Sequence, residues 1–70
     1  MIYPTSDQVR RADLLTLKQW YKELPGAGSA YMHLPREEYR MHTEREGRII
    51  SMIYRSIEIQ EDENARAGPG

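Results

Sequence analysis

PREEYRMHTEREGRIISMIYRSIEIQ, Pro35 to Gln60, is the stretch that decides the fold. On a 3.6-residue period Tyr39, Ile50, Ile53 and Ile57 fall within about 60° of one another, flanked by Ile49 and Tyr54. Met41, Met52 and Ile59 gather on a second, nearly opposite line. A helix that is apolar on two sides needs two things to pack against. One is the rest of this chain, and the expected other is a second chain. Pro35 suits the first helical position, and Glu37 and Glu38 suit the positive end of the dipole. Gly47 is the weak point, costing roughly 1 kcal/mol against Ala in a helix interior. Thr43-Glu44-Arg45-Glu46 has capping-box spacing, so a break near His42 is the alternative to a continuous helix. In the continuous form, which is favoured, Gly47 would let another helix approach closely.

Working outward, Thr5-Ser6-Asp7-Gln8 reads as a helix start, with Thr5 and Gln8 at capping-box spacing. Val9, Leu17, Trp20 and Leu24 share a face from there, with Leu14 and Tyr21 at its edge. One helix from about Ser6 to Leu24 is favoured. The alternatives are a bend near Asp13 or a second start at Asp13 or Thr16. Pro25-Gly26-Ala27-Gly28-Ser29 ends this helix, since proline cannot continue it and the glycines permit a reversal. The connector, 25–34, carries Tyr31, Met32 and Leu34, which is too apolar for an idle linker. Acids at 61–63 crowd the negative end of the helix dipole, so 61–70 is expected to be a disordered acidic tail. The fold class is therefore all-α. It is an antiparallel two-helix hairpin over 1–60, and two copies would pair as a dimeric four-helix bundle.

Composition narrows the function. Seventy residues make a single domain with a thin core, and the chain has no cysteine to staple it. Oligomerisation is the remaining support, hence the expected homodimer. Ten Lys and Arg face eleven Asp and Glu, a net charge of −1, so neither half has the basic excess of a nucleic-acid binder. No apolar run approaches the roughly 20 residues that span a bilayer. The start Met1-Ile2-Tyr3-Pro4 lacks the features of a signal peptide, and the expected location is cytoplasmic.

Candidate chemistry is sparse. Glu38, His42 and Glu46 are spaced four apart and would line up on one helix face. Such a line suits a metal or proton transfer, but it reads more simply as ordinary surface pairing. Glu46 stands out because it sits in the apolar stripe, where a carboxylate must be paired or protonated. Lys18, Lys22 or a partner's arginine would neutralise it, unless the hairpin splays and leaves it wet. Arg36, Arg40, Arg48 and Arg55 run down one side of the second helix. Glu37, Glu44 and Glu58 lie close enough to make this a solvated salt-bridge face. No nucleophile elbow occurs, and Gly26-x-Gly28 lacks the rest of a phosphate loop. No catalytic, cofactor-binding or metal-binding residue is assigned, and no enzyme is expected.

At Trp20-Tyr21-Lys22-Glu23-Leu24-Pro25 the chain resembles small phage and prophage accessory proteins of unassigned function, which carry a similar turn between two helices. The likeness covers Leu14 to Pro25, and Ile49 to Ile57 as an apolar pattern only. The connector from Gly26 to Arg36 is longer here. The resemblance implies a phage-encoded accessory factor, an inhibitor or modulator acting in the host cytoplasm on a host or viral protein. The residues add a mechanism for it. Ile50, Ile53, Ile57, Trp20 and Leu24 hold the hairpin, while Met41, Met52 and Ile59 form a dimer or partner face. Tyr21, Tyr31 and Met32 would be exposed anchors, and Arg48 and Arg55 are further candidate partner contacts. The rival expectations are a small dimeric DNA-binding regulator and a virion assembly component.

Overall fold

Residues 2–67 are described by a computed structural model, and all their regular structure is helical. Helix α1 spans Ser6–Arg11, α2 Leu14–Glu23 and α3 Arg36–Ala67, with a 3-10 turn at Ser29–Tyr31 before α3. The capping box opens α1: the Gln8 N–H donates to Thr5 Oγ1 at 3.2 Å, and the Thr5 N–H donates to Gln8 Oε1 at 2.8 Å.

The favoured single helix over Ser6 to Leu24 is in fact two. Ala12 and Asp13 are extended, and the Asp13 carboxylate accepts the Thr16 N–H at 2.8 Å, capping a fresh helix start. The break frees the Ala12 carbonyl, which Gln60 Nε2 reaches at 3.1 Å from far along α3. Tyr3 Oη donates to the Pro25 carbonyl, so the beginning of α1 returns to the end of α2. The two short helices therefore lie as a folded pair along α3. Lys18 meets Glu61, Tyr21 meets Tyr54 and Gly28 meets Glu46, which makes α2 antiparallel to α3.

Helix α3 is continuous, and the break near His42 does not occur. A methyl group added at Gly47 would meet no heavy atom within 4 Å, so no close approach among the described residues uses that glycine. The helix also runs past Gln60 to Ala67, where a disordered tail was expected. Lys18 pairs with Glu61 at 3.5 Å and Arg66 with Asp62 at 3.2 Å, offsetting the acids that crowd this end. The rest of the expected tail, 68–70, lies outside the described residues. At 1.5 Å per residue α3 is about 48 Å long. It sets the length of a rod measuring 53 × 17 × 16 Å.

The core is Val9, Leu17, Ile49 and Ile53, with Tyr3, Ala12, Trp20, Leu24, Met52 and Ile57 packed around it. Burying Val9, Leu17 and Ile53 completely contributes roughly 1.5–3 kcal/mol each. The centre of the buried face is Ile49 and Ile53, and Ile50 is only half-buried. The expected stripe is rotated because two helices cover α3. The N-terminal segment reaches the Ile49 flank, while α2 stays on the Tyr54 flank.

Candidate protein-docking face

Position begins with the connector. Gly28 has φ +80°, the left-handed region that favours glycine, and it lies against Thr43 and Tyr39. Its buried N–H donates to Glu46 Oε1 at 2.9 Å, and Glu46 is only 5% exposed. The carboxylate is thus satisfied by backbone, not by Lys18, Lys22 or an arginine. Burial first, and the Glu46 carboxylate second, push the pKa of the Tyr3 hydroxyl above its ordinary 10.0. The connector is tied to α3 through Gly28 and Glu46, and the N-terminal segment is tied to the end of α2 through Tyr3 and Pro25.

The line Glu38, His42, Glu46 is not assembled as a site. Glu46 turns inward to Gly28, whereas the His42 ring stacks on Tyr31 with centroids 3.9 Å apart. Arg45 Nη2 lies 3.0 Å from His42 Nδ1, and since a guanidinium only donates, that nitrogen accepts. No group of three metal-ligating side chains converges among the described residues. A cavity of about 490 Å³ opens where Tyr3, Pro25, Tyr31 and Ile49 meet, with Arg45 and Glu46 in its lining. Its acid is already engaged, so it presents one guanidinium and an apolar wall, with no free acid–base pair.

The expected contact residues separate into three places. Tyr21 faces Tyr54 with centroids 5.8 Å apart on one flank of α3. There the carboxylate of Glu58, one turn on, pushes the Tyr54 hydroxyl up from 10.0. Tyr31 is half-buried in its stack on His42 and is not the exposed anchor expected; Met32 beside it is 75% exposed. The other flank carries Met41, Met52 and Ile59 together with Arg48 and Arg55. Met41 is 69% and Ile59 50% exposed, while Met52 is half-buried and joins this flank to the core.

Arg45 completes that flank, and it was missed because the apolar residues were read apart from the basic ones. Met41, Arg45, Arg48, Met52, Arg55 and Ile59 follow one another at intervals of four, three, four, three and four. That is the seam spacing of a coiled coil, and it places all six within about 80° of arc on a straight helix. The expected neutralisation of the arginines is incomplete. Glu44 pairs with Arg40 at 3.2 Å, and Arg48 Nε reaches only the Glu44 carbonyl, at 3.4 Å. Among the described residues, no ion pair involves Arg45, Arg48 or Arg55.

Compared with known protein families, curated proteins and solved structures, the chain matches none of them. Among the described residues no helix is long and apolar enough to cross a membrane.

Proposed function

We propose that this is a non-enzymatic binding protein that docks the outer flank of α3, Met41 to Ile59, on another protein. The observation that carries the proposal is the seam itself, in which exposed Met41 and Ile59 and half-buried Met52 are interleaved with three arginines along one face of a helix covered on its other side. Methionine suits such a role, since its flexible thioether adapts to irregular surfaces. The flank is about 27 Å long, the length of a helix-on-helix contact. Taken with the resemblance to phage accessory proteins, the target would be a host or viral protein and the effect modulation or inhibition.

The test is affinity purification of the tagged chain from cells expressing it, with the double variant Met41→Asp, Ile59→Asp beside the wild type. Both positions are exposed, so the helical circular dichroism should stay unchanged. Co-purifying protein should fall at least about tenfold, as expected when apolar anchors worth over 1.4 kcal/mol are lost. Undiminished recovery with the double variant would remove the reading. The expected pairing of two chains as a four-helix bundle is the competing use of this flank, and it would show as recovery of the chain's own copies.

A further inference from the structure

We infer that the segment received by this flank is an acidic amphipathic helix of another protein, and not a second copy of this chain. The inference rests on the docking reading above and adds the chemistry of the partner.

Two features of the flank specify the occupant. Spacing of four and three residues over Met41, Arg45, Arg48, Met52, Arg55 and Ile59 matches the knobs of another helix. Three of those six positions are guanidinium groups that no carboxylate in the described chain engages. A partner must therefore supply apolar side chains to Met41, Met52 and Ile59 and carboxylates to Arg45, Arg48 and Arg55. An arginine–carboxylate pair forms two parallel hydrogen bonds and gains strength as the contact excludes water.

A second copy supplies this poorly. In a parallel, in-register pair each arginine would face itself. In an antiparallel pair, placing Met41 opposite Ile59 puts Arg45 opposite Arg55, and placing Met41 opposite Met52 puts Arg45 opposite Arg48. Sliding the helices until Arg45 meets Asp62 avoids those clashes. That register leaves Met41 opposite Arg66, Arg48 opposite Ile59 and Met52 opposite Arg55, with no layer in which apolar meets apolar. Like charges across an interface disfavour the wrong partner by several kcal/mol. A nucleic acid would answer the arginines, but it would leave Met41 and Ile59 against phosphate and sugar.

The test uses the full chain and two dye-labelled synthetic helices of about four heptads, alike except for their charges. Both have leucine on the seam; one has glutamate beside it and the other lysine. Fluorescence anisotropy should show the glutamate helix binding at least about tenfold more tightly than the lysine helix, with the difference shrinking as salt is raised. The variant Arg48→Glu, Arg55→Glu, checked for unchanged circular dichroism, should reverse the preference. Equal binding of the two helices, an unreversed preference, or tighter binding of duplex DNA would each overturn the inference. Affinity purification separates this failure from failure of docking itself. A partner that depends on Met41 and Ile59 but is recovered undiminished by the charge-reversed variant would discard the acidic helix and keep the docking face.

Discussion

Gly28 and Glu46 show how one residue's environment governs its neighbours. Gly28→Ala would force a side chain into Thr43 at a φ of +80°, with Thr43 Cβ 3.0 Å and Tyr39 Cε2 3.2 Å from the new carbon. The expected cost is about 2–4 kcal/mol, seen as an earlier urea midpoint at unchanged slope. Glu46→Ala would leave the buried Gly28 N–H without an acceptor, costing about 1–3 kcal/mol. Glu46→Gln keeps an acceptor and should recover most of that; equal losses in the two variants would show that the hydrogen bond is not what matters. The odd placement of Glu46 was legible in the sequence, since a carboxylate interrupts the apolar stripe. Its partner was not, because every residue but proline offers a backbone N–H and nothing in a side-chain pattern marks Gly28. Asp13 adds a pH dependence. Thr16, through its hydroxyl first and its backbone N–H second, holds the Asp13 carboxyl below its ordinary 3.8. A carboxyl depressed in the fold contributes stability that is present above 3.8 and lost as pH falls through its folded value. The stability difference between wild type and Asp13→Asn should therefore shrink below about pH 4 in acid titrations followed by circular dichroism.

At the scale of elements, the helix starts were more legible than the helix ends. Thr5 with Gln8 and Asp13 with Thr16 both announce themselves, because capping is local chemistry written within four residues. Whether Asp13 starts a new helix or merely decorates a continuous one depends on Gln60, which takes up the Ala12 carbonyl freed by the break, 48 residues away from it. That is tertiary information. The rotation of the core from Ile50 to Ile49 has the same origin, since one covering helix and a folded pair bury different arcs of α3. Gly47 gives this scale its prediction. An alanine there meets nothing within 4 Å and would stiffen the helix, so Gly47→Ala should raise stability by about 0.5–1 kcal/mol in urea unfolding. A loss instead would mean that another chain approaches at Gly47.

Seen whole, the molecule is a rod with a thin core on one side of a long helix and an exposed Met–Arg seam on another. The apolar half of that seam was visible in the sequence as Met41, Met52 and Ile59. Of its basic half, Arg48 and Arg55 were named from the sequence, but Arg45 and their lack of carboxylate partners were not, because charge pairing along a helix depends on which carboxylates actually reach which arginines. With Arg45, Arg48 and Arg55 on the seam, the chain should be a monomer of 8.2 kDa by light scattering at about 100 µM, contrary to the homodimer expected from its second apolar face and small size. The most direct test of the docking face is site-specific photo-crosslinking in cells expressing the protein, with the crosslinker placed in turn at Met41, Ile59 and the exposed Asp7 of α1. Discrete crosslinks to a different protein from Met41 and Ile59, with none from Asp7, are the predicted result. Crosslinks to the chain's own copies, or the same products from Asp7, would contradict it.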